Sequence, residues 1–164
     1  MANYKANSEN SKNVILKLDN QKLGELRYKK WYSLNAEIEL VEGEKYQLEP
    51  KGFWDAKIEL KKGSKTLLDF KMGWKGIMIR TFFNQKEETY LLKQSGVLHI
   101  KFILIDVDKI ELMEVESDFQ WSKMNYNYNI KTTEKFDQFQ QKELLMLTVL
   151  HCINYHMTII AAAS

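Results

Sequence analysis

Cysteine and proline are almost absent from this chain, which has one of each among 164 residues. The lone cysteine, Cys152, excludes an intramolecular disulfide and is typical of a protein from a reducing compartment. The lone proline, Pro50, stands beside Gly52 at the end of a predicted strand, where a residue without an amide donor does least harm. We therefore expect a single domain held together by its core, without disulfides or a proline-rich linker.

An excess of charge is also lacking, since 24 Lys and Arg residues stand against 22 Asp and Glu residues. Nucleic-acid-binding domains usually carry a strongly basic face, so this balance argues against nucleic acid as the partner. The opening segment, MANYKANSENSKN, has no apolar stretch. We therefore predict no secretory signal, a polar N-terminal tail over residues 1–12, and a cytoplasmic protein.

The sequence contains no recognisable catalytic or cofactor motif, whether a G-x-S-x-G elbow, a P-loop or a dinucleotide-binding glycine motif. His151 and His156 are five residues apart, unlike the i, i+4 histidines of a metalloprotease helix. We expect both histidines to be buried and hydrogen-bonded within the core. Asp106 and Asp108 are a potential carboxylate pair, but their place after FILID favours a role in a turn. We predict no enzymatic activity, no metal and no cofactor.

Alternation of apolar and polar residues runs from Val14 to Lys131 and is the dominant pattern of the chain. A period of two sends alternate side chains to opposite faces of a sheet. It is clearest in LNAEIEL (34–40), FWDAKIEL (53–60) and NYNYNIK (125–131). Turn residues recur at intervals of about eight to twelve residues, which predicts an antiparallel meander of roughly twelve strands. A slip of phase in IELMEVE (110–116) predicts a β-bulge.

The end of the chain has a different character, because no Lys, Arg, Asp or Glu occurs from Leu144 to Ser164. Thr133 or Asp137 is placed to cap a helix over about residues 134–162. An uncharged segment of about 20 residues is long enough to span a bilayer, at about 1.5 Å per residue. It therefore lies either in a membrane or inside the protein.

Polar side chains within this segment favour the interior of the protein over a membrane. Hydrocarbon offers such groups no hydrogen-bond partners, and no basic residue follows the segment to anchor it. A barrel of about twelve strands is too wide to be filled by its own side chains, whereas a helix is about 10–12 Å across. We therefore predict a mainly β domain over residues 13–164, an antiparallel β-barrel enclosing the helix. The polar positions are Thr148, His151, Asn154, Tyr155, His156 and Thr158.

This arrangement resembles the tubby C-terminal-domain superfamily, which includes the LURP-one-related proteins and the phospholipid scramblases. The segments that carry the resemblance are YQLEPKGFWDAKIEL (46–60), LLDFKMGWKGIMI (67–79), ETYLLKQSGVLHIKFILID (88–106) and LLMLTVLHCINYH (144–156). The resemblance implies a twelve-stranded barrel threaded by a helix, and a non-enzymatic role in binding membranes or phosphoinositide headgroups. DVDKIE (106–111) lacks the third acidic ligand and the glycine of a calcium loop. Scrambling activity is therefore not implied.

Four basic residues around a glycine-aromatic turn are candidates for binding an anionic ligand: Lys57, Lys71, Lys75 and Arg80. The alternative is that they are separate solvated charges on strand faces. Tryptophans can stack on bases or sugars, but we expect most of them in the core or at the barrel rim. They are Trp31, Trp54, Trp74 and Trp121.

The sequence therefore predicts a soluble, non-catalytic binding module of the tubby or LURP-one-related type. Its expected partners are anionic phospholipid, phosphoinositide or another protein, at the periphery of a membrane. Two alternatives remain open at this point. One is an enzyme or small-molecule carrier with its site in the barrel mouth, and the other is a protein anchored in a membrane by its C-terminal helix.

Overall fold

The computed structural model describes residues 1–10, 12–30, 34–52, 57–96, 99–120 and 125–163. Twelve strands precede two helices, and a short 3₁₀ helix (Phe83–Gln85) lies between the eighth and ninth strands. The elements are β1 (Asn3–Asn10), β2 (Asn13–Leu18), β3 (Gln21–Tyr28), β4 (Ala36–Leu40), β5 (Lys45–Lys51), β6 (Lys57–Lys62), β7 (Lys65–Gly73), β8 (Gly76–Thr81), β9 (Glu88–Ser95), β10 (Lys101–Ile105), β11 (Glu111–Gln120), β12 (Asn125–Thr132), α1 (Glu134–Asp137) and α2 (Lys142–Ala163).

The strands form one closed antiparallel barrel in which each strand pairs with its neighbours in the chain. Closure comes from β1 and β12, which pair with Tyr4 opposite Ile130 and Ala6 opposite Tyr128. A closed sheet leaves no unpaired edge strand. The predicted fold class, a roughly twelve-stranded antiparallel barrel around a C-terminal helix, is confirmed.

Alternating burial follows the alternation in the sequence. On β6, Ile58 and Leu60 are buried inside the barrel, while Lys57 and Lys61 lie on the outer face. The neighbouring strand β7 contributes Phe70 to the same interior.

The predicted polar tail over residues 1–12 is wrong, because Asn3–Asn10 form the strand that closes the barrel. Tyr4 and Ala6 point inward and are almost fully buried, and the third inward position is Ser8. Only two apolar side chains therefore mark this strand in the sequence. Its order comes from pairing on both sides, with β12 and with β2, rather than from its own hydrophobicity.

The predicted bulge in β11 is confirmed. Leu104 pairs with Met113 and Ile105 pairs with Glu111, so Leu112 is an extra residue without a partner on β10. Leu112 and Met113 are consecutive in sequence, yet both are buried. The bulge permits this because it shifts the inward phase of the strand by one residue.

Two helices replace the single helix predicted over residues 134–162. Thr133 caps α1, and its hydroxyl oxygen accepts a hydrogen bond from the backbone amide of Phe136. The chain then turns through residues 138–141 before α2 begins at Lys142. This short break lets the chain leave β12 at the barrel rim and redirect α2 into the interior.

The barrel surrounds α2, and every residue from Leu144 to Asn154 is buried. α2 passes close to β3, where a Cβ atom on Gly24 would lie 2.8 Å from a methyl group of Leu147. By length and composition α2 could cross a membrane, but most of it is buried in the structure. In the structure the barrel, rather than a bilayer, supplies the apolar surroundings of this helix.

A buried polar network joins α2 to the barrel wall. His151 Nδ1 lies 2.8 Å from the Tyr28 hydroxyl, and Asn154 Nδ2 donates to the same hydroxyl oxygen at 3.0 Å. The Tyr128 hydroxyl donates to the Asn154 side-chain oxygen. The expectation that His151 bonds within the core is confirmed. Other polar groups of α2 are satisfied locally, as in the hydrogen bond from Thr148 to the Leu144 carbonyl.

Candidate functional site

The two ends of the barrel differ, and the direction of α2 defines them. α2 begins near the end of β12 and runs toward the end of β3, where Tyr28 contacts His151. Farther along, His156 Nε2 lies 3.0 Å from the side-chain oxygen of Gln94, near the end of β9. We call the end at which α2 leaves the barrel the exit end, and the opposite end the entry end.

Large apolar side chains are exposed at the exit end. Trp74 lies in the turn between β7 and β8 with 92% of its surface exposed. The last turns of α2 add Ile159 and Ile160, which are 42% and 43% exposed. The ammonium group of Lys75 sits 4.9 Å from the centre of a Trp74 ring. A tryptophan this exposed, beside a cation, has no role in the core.

Exposed lysines surround these apolar residues. The carboxylates Glu37 and Glu49 at this end are ion-paired, with Arg27 and Lys61 respectively. Asp118 is exposed on β11 at the same end. Among the residues that the structure describes, the exit end therefore carries mainly basic side chains, whereas the entry end mixes both signs and carries many carboxylates. The exposed lysines of the exit end are Lys12, Lys29, Lys30, Lys51, Lys71, Lys75 and Lys93.

Two of the four predicted anion-binding residues meet around a carboxylate. Arg80 donates two hydrogen bonds to Asp69, from Nε at 3.0 Å and from Nη2 at 2.7 Å. The ammonium group of Lys57 lies 3.6 Å from the same carboxylate. The Asp69 hydrogen bond and charge hold the pKa of Arg80 above its ordinary value. Lys57 and Arg80 are therefore balanced by a nearly buried acid of their own chain.

Glu59 repeats this pattern one strand away. Its side chain is only 4% exposed on the outer face, beneath Lys51 at 3.3 Å and Lys57 at 3.6 Å. Burial tends to raise the pKa of Glu59, but the hydrogen bond from Lys51 and the surrounding lysine charges hold it below its ordinary value. Lysine and arginine side chains thus cover the carboxylates of Asp69 and Glu59 on the outer barrel wall. These ion pairs have a structural role.

The other two predicted residues, Lys71 and Lys75, are exposed near the β7–β8 turn. Lys71 lies opposite Lys57 in the β6–β7 register, and Lys75 stacks on Trp74. The register therefore places Lys57, Lys71 and Arg80 at neighbouring positions of β6, β7 and β8, while Lys75 lies apart beside Trp74. Trp74 is exposed rather than buried, while Trp31, Trp54 and Trp121 lie outside the described residues.

A second feature, which we call the outer groove, crosses the outer face of β8, β9 and β10. Its floor is a row of Met78, Leu91 and Ile105, which are direct partners in the strand register. Trp74 walls one side and Val107 the other, and the groove has a volume of about 340 Å³. The row spans three strands, or about 10 Å at the usual strand spacing.

Lysines flank the outer groove. Lys75 and Lys93 line it on the side of Trp74, and Lys109 lines it on the side of Val107. The one carboxylate in its lining, Asp106, is held by Lys135 at 2.6 Å. Asp106 also accepts hydrogen bonds from the backbone amides of Asp108 and Ile110, which confirms its predicted role in a turn. The Lys135 hydrogen bond, followed by that from Ile110, lowers the pKa of Asp106.

A wider groove of about 920 Å³ lies at the exit end, where Tyr28, Lys30 and Pro50 are among its lining residues. The neighbouring segments 31–33 and 53–56 lie outside the described residues. In the part of the chain that the structure describes, no group of three His, Cys, Asp or Glu side chains is arranged to hold a metal ion.

Sequence reasoning missed the outer groove and the exposed apolar residues of the exit end. Lys93 and Lys109 are distant from each other in sequence and line one groove only because β9 pairs with β10, which leads into the β10–β11 turn. The alternation along β8 and β9 does place Met78 and Leu91 at outward positions. Apolar residues at outward positions are the sequence signal that could have indicated an exposed apolar surface. No protein-family model, curated protein or solved structure matches the chain.

Proposed function

We propose that this chain is a non-catalytic binding module, of the type found in tubby and LURP-one-related proteins, that attaches to anionic membrane surfaces through its exit end. The observation that carries the proposal is the exposure of Trp74, which is 92%, within a ring of lysines. The proposed location is the cytoplasmic surface of a membrane, where anionic lipids attract basic proteins.

The apolar part of the exit end suits the headgroup region of a bilayer. Tryptophan is enriched at membrane interfaces because its ring is apolar and its indole N–H still finds a partner there. Ile159 and Ile160 project from the same end, so the ring of Trp74 and the end of α2 offer two contact points. On this proposal the barrel stands with α2 directed toward the membrane, and no strand has to enter hydrocarbon.

The charge of the exit end supplies attraction at longer range. Each lysine near an anionic membrane surface contributes about 1 kcal/mol, and salt screens this attraction. Lys12, Lys29, Lys75 and Lys93 have no ion-pair partner among the residues that the structure describes. The entry end also exposes apolar residues, such as Val41, but the exposed carboxylate of Glu42 beside it would be repelled by an anionic surface.

Vesicle sedimentation tests the proposal with the whole chain. We expect binding to vesicles of phosphatidylcholine mixed with phosphatidylglycerol, weaker binding in high salt, and none to phosphatidylcholine alone. Trp74→Ser should weaken binding roughly tenfold, which corresponds to about 1.4 kcal/mol for a partly buried ring. At low salt, Lys75→Glu should weaken vesicle binding more than Trp74→Ser does.

Matched controls lie at the entry end. Val41 is 59% exposed, and Val41→Ser removes a comparable exposed apolar side chain from the other end of the barrel. Lys65 is exposed at the start of β7, so Lys65→Glu makes the same charge change as Lys75→Glu. Neither control should alter sedimentation. Equal losses for the Trp74 and Val41 variants, or no sedimentation of the unaltered chain at low salt, would refute the proposal.

A further inference from the structure

The outer groove has features that attachment to a membrane does not require. Its floor lies on the outer wall of the barrel, away from the rim of the exit end, and is formed by Met78, Leu91 and Ile105. Met78 and Val107 are 52% and 73% exposed, whereas Ile105 at the bottom is only 8% exposed. An apolar floor between two raised walls is typical of a small-molecule site, and about 300 Å³ is the lower end of the usual size range.

We propose that the outer groove binds a single-chain anionic amphiphile, such as a long-chain fatty acid, with the alkyl chain on the floor and the acidic group among the lysines. The floor is one residue wide along each strand, because the outward neighbours of Leu91 on β9 are Thr89 and Lys93. A strip of that width matches one alkyl chain, which would contact all three floor residues at van der Waals distance.

The shape of the barrel disfavours a peptide as the occupant. An extended peptide binds by adding a strand to an open sheet edge, and this barrel is closed. A helix is about 10–12 Å across with its side chains and needs a broader channel than a strip one residue wide. Trp74 and Val107 stand on opposite sides of the floor and limit the width of any occupant.

Charge complementarity selects an acidic group for the head of the amphiphile. Lys93 and Lys109 line the groove from its two sides and have no ion-pair partner among the described parts of the chain. Asp106 does not cancel them, since Lys135 and two backbone amides already hold its carboxylate. A carboxylate in the groove would therefore meet unpaired ammonium groups and form charge-assisted hydrogen bonds.

Titration of the whole chain with dodecanoate, below the concentration at which it forms micelles, tests this inference without any bilayer. We expect saturable calorimetric binding, and a shift of the Met78 methyl resonance in a methyl-labelled sample. Dodecylamine has the same alkyl chain with the opposite charge and should not bind. Dodecanol should bind at least about tenfold more weakly than dodecanoate.

Two variants at residues that the membrane proposal does not use separate this inference from membrane attachment. Met78→Gln alters the floor and Lys109→Gln removes one flanking charge, and each should weaken dodecanoate binding about tenfold while vesicle sedimentation is unchanged. Lys65→Gln is the matched control and should bind dodecanoate normally. The inference is overturned if dodecanoate does not bind, if dodecylamine binds equally well, or if both variants bind like the unaltered chain.

Discussion

The hydroxyl of Tyr28, the last residue of β3, lies 2.8 Å from Nδ1 of His151 in the middle of α2. Asn154 donates to the oxygen of the same hydroxyl, and when His151 is neutral the hydroxyl can in turn donate to Nδ1. Burial lowers the pKa of His151 to about 4, and the nearby backbone of Leu34 offsets part of that effect. The network therefore favours a neutral histidine.

Stability should fall as the pH is lowered from 7 toward 4. The pKa of His151 is about 4 in the folded chain against a reference of 6.5, so the unfolded chain binds a proton over this range and the folded chain does not. The free energy of unfolding should drop by roughly 3 kcal/mol from this group alone. Urea unfolding at several pH values measures this decrease in the free energy of unfolding.

His151→Asn is the control for that pH dependence, since the amide oxygen can still accept from Tyr28 and does not titrate. The variant should lose stability at pH 7 but should show a shallower decline toward pH 4. Carboxylates such as Glu59 contribute to acid unfolding in both proteins and cancel in the comparison. Identical slopes for the two proteins would show that His151 does not titrate as described.

Substitution of Gly24 should destabilise the barrel by crowding α2. A Cβ atom there would lie 2.8 Å from Leu147 Cδ1 and 3.1 Å from the Glu39 carbonyl oxygen. We expect Gly24→Ala to lower the free energy of unfolding by about 1–3 kcal/mol, as overpacking does in other cores. Leu147→Val removes the crowded methyl group, so the double variant should be more stable than additivity predicts. Strict additivity would mean that the two residues do not interact.

Asp69 should matter more for stability than an exposed carboxylate does. Asp69→Asn removes the charge that Arg80 and Lys57 share, and one amide nitrogen would then face the Arg80 guanidinium. We expect a loss of roughly 2 kcal/mol in chemical unfolding, typical of a lost charge-assisted hydrogen bond. Asp118→Asn on β11 is the matched control and should change stability by less than about 0.5 kcal/mol. Similar losses for both would contradict the structural role of Asp69.

Removal of α2 should abolish the fold. Its residues from Leu144 to Asn154 are all buried and fill the barrel, so a chain ending at Glu143 would enclose an empty apolar interior. We expect loss of near-ultraviolet circular dichroism and of cooperative unfolding. If α2 served only as a membrane anchor, the shortened chain would instead be a folded, soluble domain, which the same measurements would reveal.

Much of the architecture could be predicted because it is encoded locally. Alternation marked the strands, a slip of phase marked the bulge at Leu112, and the uncharged final segment marked the core helix. The first strand was missed because Tyr4 and Ala6 alone carry its inward pattern, and pairing with β12 depends on residues far away in the chain. A short stretch of sequence does not determine the pairing register of strands that lie this far apart in the chain.

The candidate site was less predictable for the same reason. Arg80 and Lys57 looked like neighbours available to an anion, but the register places Asp69 between them. The outer groove is assembled from residues of β8, β9, β10 and two turns. The side chains of this surface come together only in the folded barrel, and no sequence motif contains them.

Closure by β1 and β12 also determines when this protein can fold during synthesis. The first strand must wait for the twelfth, and the interior stays unfilled until α2, which follows all twelve of these strands, has left the ribosome. Contacts so distant in sequence form slowly, and the apolar face of an incomplete sheet is exposed in the meantime. We therefore expect the growing chain to expose apolar surface that chaperones can bind until α2 has been translated.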